Sequence, residues 1–436
     1  MHSTSNSPTK HWNAIPSPVL VPSSRPSPGF RKVRELQAKL PGGNRDDWRH
    51  CASFEALETA VAELAVNVAG LHADDVDKKS RFPEETINGL RALGALGAGV
   101  PSEQGGLGCS VSQQARLCRL LGARCASSAM ILAMHFIKVA SIVRHCGDNQ
   151  LLREYLRRLN SEQRLIASVT SEVGTDGDMT QSIAALKLSG DSFTFEKHAT
   201  TVSYGVYADD LLVTLKKNVA AAPTDQVMVL ALSGDYELTV SGEWDTLGMR
   251  GTCSPAAKIE ARGNAWQVLP ESFANISSHS MVPVSHILWS ALWLGIASDA
   301  VNKVRRLLVD KYRKQPDKIP AKANQLAVLD SRLQQMKAEH EQVTQAYETL
   351  LASGRKIDVF NVGFALQINN LKLNASNHVK EIVADAIQAA GIAAYRNNSE
   401  FSLGRHLRDA MSASLMISNE RIVEYNATLQ MLYRHR

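Results

Sequence analysis

Short hydroxyl side chains cluster at two points in the middle of this 436-residue chain. Ser168, Thr170 and Ser171 lie at the end of a short apolar run, and Thr201 and Ser203 follow in a second polar segment. A hydroxyl both donates and accepts hydrogen bonds, so such residues at the end of a strand could hold the polar edge of a ligand. The alternative is that they are ordinary hydroxyl residues of β-strands, in which threonine is common.

A histidine stands in one of the most apolar segments of the chain, residues 130–140. His135 is a candidate acid or base because imidazole titrates near neutral pH. A polar residue in an apolar helix has one of two explanations, a hydrogen bond in the core or a role at a site. The sequence leaves both open.

Composition excludes several classes of protein. Hydrophobic residues make up 44% and charged residues 21%, as in ordinary globular proteins. The net charge is +5, and the first fifty residues hold eight Lys or Arg against three Asp or Glu. The remaining body is formally neutral, which argues against a nucleic-acid-binding protein. The strongest apolar run, 287–297, is too short to span a membrane. The six cysteines form no CxxC pair, which predicts reduced thiols in a cytoplasmic protein with no metal site.

The elements that must position these residues fall into four stretches. Residues 1–45 are basic and rich in Ser and Pro, which predicts a disordered tail. The same composition matches an organelle transit peptide, although its prolines disfavour the amphipathic helix that such a peptide needs. Residues 50–165 have helical periodicity, and they predict an N-terminal helical domain.

The third stretch has the pattern of β-strands, and the fourth has the pattern of helices. Residues 166–280 hold short β-branched segments between turns, which predict a small antiparallel barrel or sandwich. Residues 281–436 predict a bundle of four long helices over 287–308, 320–351, 358–390 and 405–433. The predicted class is α+β, with a helical domain, a β domain and a C-terminal four-helix bundle in that order.

This order and several local strings resemble the acyl-CoA dehydrogenase superfamily of flavoproteins over about residues 50–436. Residues 166–178, I-A-S-V-T-S-E-V-G-T-D-G-D, look like the family's A-x-T-E-P-x-x-G-S-D. The other matching strings are Phe82-Pro83, G-A-G-V-P-S-E-Q-G-G at 97–106, L-G-M-R-G-T at 247–252, Q-A-A-G at 388–391 and L-R-D-A at 407–410. Each string is weak alone, but together they occur in the family's order.

The resemblance implies FAD as cofactor and assigns the hydroxyl residues to it. Thr170, Ser171 and Ser203 would contact the flavin ring, with Ser168 and Thr201 in the same strings. A flavin needs hydrogen-bond partners for its ring nitrogens and oxygens and a dry apolar slot for its face, which these strings can supply. The tryptophan that the family usually has near Thr201 is absent here.

The resemblance also implies contacts between subunits. Arg313 matches an arginine that reaches the dinucleotide of a neighbouring subunit, although the family's following Phe-Gly is missing. Gln388 and Gly391 match contacts to the adenosine end of that dinucleotide. Relatives that share FAD contacts in this way are homodimers or homotetramers, and the same is expected here.

The catalytic base is where the chain departs from the family. Typical members remove the proton α to a thioester carbonyl with a glutamate placed shortly after the R-D pair. Ungapped counting from Arg408 and Asp409 puts Ile417 there. Some members place the glutamate on the first bundle helix, where this chain has Ser285 followed by His286.

Three candidates remain for the base. Glu420 lies about one helical turn after Ile417, or is an exposed helical glutamate. His286 takes the position of an arginine near the thioester, or is a hydrogen-bonded core histidine. His135 lies on the helix that faces the flavin pocket in relatives.

The function implied is an FAD-dependent oxidoreductase acting on the CH–CH group of an acyl thioester. The acyl group would be carried by coenzyme A or an acyl carrier protein, and the electron acceptor is not specified. Gly177 replaces the serine that binds pantetheine in the family. Two alternatives stay open: a monooxygenase of the same fold that uses reduced flavin and oxygen, and a non-catalytic scaffold that binds an acyl chain or acyl carrier protein.

Overall fold

The computed structural model of the protein describes residues 51–353 and 362–433. The predicted disordered tail, 1–45, lies outside the described residues. The described chain follows the predicted order: helices, then β-strands, then helices.

The N-terminal part consists of six α-helices. Ser53 caps the first, a π-helical turn at Ala65–Ala69 joins the first two, and Ser110 and Gln113 form a capping box at the fourth. The helices are α1 Phe54–Leu64, α2 Gly70–Lys78, α3 Glu84–Ala92, α4 Val111–Gly122, α5 Ala126–His145 and α6 Gln150–Glu162.

The middle part has seven strands in two sheets. They are β1 Ile166–Val169, β2 Lys187–Ser189, β3 Ser192–Ala199, β4 Asp210–Lys216, β5 Gln226–Ala231, β6 Tyr236–Ser241 and β7 Ala256–Asn264. One sheet has the order β1-β4-β5 and the other β2-β3-β7-β6. The expectation of purely antiparallel pairing is wrong at one place, because β1 runs parallel to β4. The chain between these two strands crosses through β2 and β3 of the other sheet, and such a crossover permits parallel pairing.

The C-terminal part is dominated by three long helices. Its helices are α7 Phe273–Ile276, α8 Val282–Lys314, α9 Ala323–Ala352, α10 Val362–Ala390, α11 Ile392–Tyr395, α12 Gly404–Met411 and α13 Asn419–Leu432. The predicted single helix over 405–433 is wrong. A 3₁₀ turn at Ser412–Ser414 and a left-handed Ile417, with φ 47°, separate α12 from α13.

Helix α8 forms the centre of the molecule and packs against α4, α9 and α10. At its crossing with α4, a Cβ on Gly295 would lie 2.4 Å from the Arg119 carbonyl oxygen, so glycine permits the close approach. Helix α5 and the stretch Phe273–Lys314 are long and apolar enough to cross a membrane, but 89% and 94% of their most apolar windows are buried in this fold. They are core helices here. All six cysteines are free thiols, as predicted.

Candidate active site

A cavity of about 700 Å³ lies where the three parts of the chain meet. Its walls come from α5, the segment after β1, the segment after β3, the loop between β6 and β7, the start of α8, and the segment from α12 to the first turn of α13. This volume is within the usual range for a cofactor or substrate pocket.

The five hydroxyl residues that the sequence singled out all line this cavity. They are Ser168, Thr170, Ser171, Thr201 and Ser203. The Ser171 hydroxyl donates to the carbonyl oxygen of Thr201 at 2.8 Å and accepts from the Thr201 amide at 3.2 Å. These two hydrogen bonds tie the segments after β1 and β3 together, so both clusters share one wall.

The hydroxyls of this wall differ in how far they are already bonded. Ser203 accepts from Ser254 at 2.8 Å, and Ser254 lies 2.9 Å from the Thr252 hydroxyl. Ser168 and Thr170 form no side-chain hydrogen bond with any described residue. The wall therefore offers two hydroxyls to a ligand beside a chain of hydroxyls that is internally bonded.

The helices supply the apolar part of the cavity wall. Met130 and Met134 of α5, Met281 before α8, and Trp289 of α8 give the cavity thioether and indole surfaces. The Trp289 indole N–H is buried and has no acceptor among the described residues. Free hydroxyls, a free indole donor and an apolar slot are what a flavin ring requires, so the described residues fit that cofactor.

A buried carboxylate supports the loop between β6 and β7 from behind and does not itself line the cavity. Asp409 of α12 accepts from the amide of Met249 at 2.7 Å, and burial raises the pKa of this carboxyl to about 6. Gly248 lies against the same helix, where an added Cβ would be 2.1 Å from the Arg408 carbonyl oxygen. The R-D and L-G-M-R-G-T strings therefore touch in space, and their contact builds the cavity wall.

His135 lies in the core and does not line the cavity. Its Nε2 donates to the Leu96 carbonyl oxygen at 2.8 Å, and its Nδ1 accepts from the Ile166 amide at 3.1 Å. Burial lowers the pKa of His135 to about 4, so the ring is neutral near pH 7. Of its two explanations in the sequence, the geometry supports the core hydrogen bond.

His286 also faces away from the cavity. Its Nδ1 lies 3.2 Å from the Ile368 carbonyl oxygen on α10, and its buried Nε2 has no partner among the described residues. Burial and the charge of Lys372 lower the pKa of His286 to about 3. The neighbouring Ser285 lines the cavity instead.

Glu420 is exposed on the first turn of α13 and is not part of the cavity wall. Ile417, Ser418 and Arg421 line the cavity around it. Within the described residues, Asp176 is the one carboxylate residue of the wall, and it lies exposed in the turn after β1. The cavity therefore has no buried carboxylate to act as a base.

The residues assigned to intersubunit contacts are on the surface, outside the cavity. Arg313 is exposed near the end of α8, 3.9 Å from the carboxylate of Asp310. Gln388 is exposed on α10, and Gly391, with φ 65°, is the N-cap residue before α11. A second subunit could reach all three.

Two charged residues of the wall were not identified from the sequence, Lys138 and Arg421. Helical spacing could have found the first. Met130, Met134, Ile137 and Lys138 recur at four- and three-residue spacing on one face of α5, and His135 lies off that face. Helical spacing therefore indicated that Lys138, and not His135, shares a face with the methionines of the cavity wall.

Comparison with known proteins agrees with this architecture. The model of the acyl-CoA dehydrogenase N-terminal domain matches residues 52–163, and that of the C-terminal domain matches residues 286–416. Together they cover more than half of the chain.

The individual relatives include an acyl-CoA dehydrogenase and proteins named for other reactions. Amino sugar nitrososynthase DnmZ of Streptomyces peucetius is 25% identical over 410 residues, which is 91% of this chain and 95% of that protein. Short-chain specific acyl-CoA dehydrogenase of Clostridium acetobutylicum is 22% identical, covering 82% of this chain and 92% of that protein. FMN-bound TdsC of Paenibacillus sp. A11-2 has a TM-score of 0.75 at 18% identity, over 87% of this chain and 98% of that chain. With both family domains matched around this cavity, the chain belongs to the acyl-CoA dehydrogenase superfamily of flavoproteins.

Proposed function

We propose that this protein is a monooxygenase that uses reduced flavin and molecular oxygen to oxidise a nitrogen or sulfur atom of its substrate. The observation that carries the proposal is the absence of a buried carboxylate from the described wall of the cavity. Desaturation of an acyl thioester needs a base that removes the α proton. Oxygen transfer to a heteroatom lone pair needs no such base.

The positions expected to hold the base support the same choice. Ile417 lines the cavity but has no titratable group, and Ser285 has its hydroxyl 2.8 Å from the Val282 carbonyl oxygen of its own helix. Glu420 is exposed outside the wall. His135 and His286 are neutral and face other parts of the core.

The named activities of relatives support the proposal further. DnmZ is named an amino sugar nitrososynthase and TdsC a dibenzothiophene monooxygenase, and these names agree with oxidation of a nitrogen- or sulfur-containing substrate. TdsC binds FMN, whereas the sequence resemblance implied FAD. We propose a flavin in this cavity and treat FMN and FAD as alternatives that direct titration separates.

In this mechanism, a bound reduced flavin supplies the activation of oxygen. Ser168 and Thr170 would donate to or accept from its polar edge, because their hydroxyls are free. The thioethers of Met130 and Met134 and the indole of Trp289 would cover apolar surface and exclude water. Exclusion of water protects a reactive oxidant from unproductive decay.

The test compares two oxidations in the same preparation. The protein loaded with FMN or FAD and supplied with a flavin reductase, NADH and oxygen should convert an amine or sulfide probe to its oxygenated product. The oxidised flavin bound to the same protein should not lose its absorbance when butyryl-CoA is added under nitrogen. Bleaching by the thioester, without oxygenated product, would contradict the proposal.

Acyl thioester dehydrogenation remains the second candidate. It is favoured by the match of both acyl-CoA dehydrogenase domain models and by the Clostridium relative. Asp176 would be the carboxylate nearest to such a reaction. If neither flavin binds to the protein, the scaffold alternative is supported instead.

We also propose that the protein is cytoplasmic and forms a homodimer or homotetramer. Ile392 and Tyr395 of α11 are 69% and 75% exposed, directly beside Gly391. Apolar residues exposed next to positions that bind a neighbouring subunit in relatives support a homodimer or homotetramer. Light scattering of the purified protein tests this part.

A further inference from the structure

Lys138 is a buried cation in the wall of the cavity. Its side chain projects from α5, and the residue is only 3% exposed. Its hydrogen-bond partner among the described residues is the thioether sulfur of Met281, at 3.3 Å. No described carboxylate forms an ion pair with it.

This environment leaves the ammonium group poorly compensated. An ammonium has three N–H donors, and a thioether is a weak acceptor. A buried charge without a partner is unfavourable, and burial accordingly lowers the pKa of Lys138 to about 7. An oxyanion in the cavity would supply both the countercharge and the strong acceptors that the described residues do not give Lys138.

The other charges of the wall do not supply that anion. Arg408 is paired with the carboxylate of Asp77 and also donates to the Leu247 carbonyl oxygen at 3.0 Å. Arg421 donates to the backbone carbonyl of Asp176 and has no ion pair among the described residues. Asp176, the one carboxylate residue of the described wall, is exposed. The cavity therefore carries an excess of positive charge.

We infer that the substrate of this cavity carries an oxyanion, such as a carboxylate, sulfinate, sulfonate or phosphate, and that Lys138 forms an ion pair with it. Lys138 is then a specificity-determining residue, because an uncharged acyl chain in the same place would leave its charge unpaired. The inference rests on the proposed function only in taking this cavity as the substrate site. It does not depend on which oxidation follows.

A matched pair of probes tests the inference without turnover. Benzenesulfonate and benzenesulfonamide have nearly the same shape, but only the first is an anion near neutral pH. Calorimetry on the flavin-loaded full chain at pH 6.5 should show about tenfold tighter binding of benzenesulfonate. Lys138→Met, which keeps an unbranched side chain and removes the charge, should abolish the preference. Lys337→Met, at a half-buried lysine of α9 outside the cavity wall, is the control and should keep it.

Either of two results would overturn the inference: the wild-type protein binds both probes equally, or Lys138→Met keeps the preference. If Lys138→Met keeps the preference and also weakens flavin binding about tenfold, the lysine pairs with an anionic part of the flavin instead. Failure to oxygenate any probe would count against the proposed function alone, because selectivity is measured here as binding.

Thermal unfolding gives a second readout. Lys138→Met should unfold at a higher temperature than the wild-type protein in the absence of probe, since it removes an unpaired buried charge. Benzenesulfonate should raise the midpoint of the wild-type protein and not that of the variant. A variant of unchanged stability that is still stabilised by benzenesulfonate would contradict the assignment.

Discussion

The ammonium of Lys372 donates to the carbonyl oxygen of Ile417 at 2.6 Å, and this contact holds the cavity wall at the position where the sequence resemblance leads one to expect a catalytic glutamate. Lys372 also donates to Asn419 at 2.7 Å, so one side chain of α10 fixes the end of the break and the first residue of α13. The left-handed backbone of Ile417, with φ 47°, turns its carbonyl group to this lysine. The segment expected to carry a base is thus held by structural hydrogen bonds from Lys372.

Replacing Lys372 with methionine should loosen that segment. The change removes two hydrogen bonds from a charged donor and leaves a carbonyl oxygen without its partner, which should lower the free energy of unfolding by about 2 kcal/mol. Urea unfolding measures the loss, and proteolysis should begin near residues 412–418. Lys380→Met on the same helix is the control. Equal stability of the two variants would show that Lys372 does not hold the segment.

Asp409 should act through its hydrogen bond to Met249, and its charge should matter less. Asp409→Asn keeps an acceptor for the Met249 amide and should retain flavin binding. Asp409→Ala leaves that amide unpaired and a small void, and should cost about 2–3 kcal/mol of stability and weaken flavin binding. Urea unfolding and flavin titration of the two variants check this. If asparagine is as damaging as alanine, the negative charge itself is required.

Glu420→Gln should leave the reaction unchanged. The side chain is exposed and outside the cavity, and the substitution alters one surface charge. Steady-state turnover and the rate of flavin reduction should stay within about twofold of wild type. Lys138→Met serves as the comparison variant within the cavity. A loss of a hundredfold or more would place Glu420 in the mechanism and return the base to its expected position.

Acid should destabilise the protein through buried neutral histidines. Burial lowers the pKa of His135 and His340 to about 4 and of His286 to about 3, from 6.5. Below pH 6.5 the unfolded chain binds protons at these rings and the native protein does not, so the stability present above pH 6.5 is lost as the pH falls toward 4. Asp409, with its pKa raised to about 6, acts in the opposite direction between pH 6 and pH 4.

The histidine prediction has a direct check. Urea unfolding at pH 6 and pH 5 should give a lower free energy at pH 5, and His340→Gln should reduce that difference by about 1 kcal/mol, because the unfolded ring takes up most of one proton over this range. Glutamine can still donate to the Ile287 carbonyl oxygen that His340 contacts at 3.1 Å. His198→Gln, at an exposed histidine, is the control. An unchanged pH dependence in His340→Gln would contradict the assignment.

The order of helices and strands could be predicted from local patterns in the sequence, whereas the shared site of the hydroxyl residues was implied by the family resemblance. Ser168, Thr170 and Ser171 follow a buried strand, and a strand end opens into a cavity where sheet and helices meet. The break at Ile417 could not be predicted. It depends on a hydrogen bond from Lys372, which is 45 residues away in the sequence.

The candidate acids and bases show the same division. As histidines, His135 and His286 were candidate acids or bases. Their hydrogen-bond partners show that they are core residues, and these partners, Leu96, Ile166 and Ile368, are distant in the sequence. Lys138 had a local signal, because it shares a helical face with Met130 and Met134. Its meaning still required the structure, since only the fold shows that no carboxylate pairs with it.

Thioethers are unusually concentrated around the cavity, and an enzyme that activates oxygen there would expose them to its own errors. Seven of the eleven methionines line it: Met130, Met134, Met179, Met249, Met281, Met411 and Met416. Oxidant that escapes productive transfer would convert these groups to sulfoxides, which are polar and swell an apolar lining. Turnover without substrate would therefore oxidise the methionines of the cavity wall, and the pattern of sulfoxides would show where the oxidant had escaped.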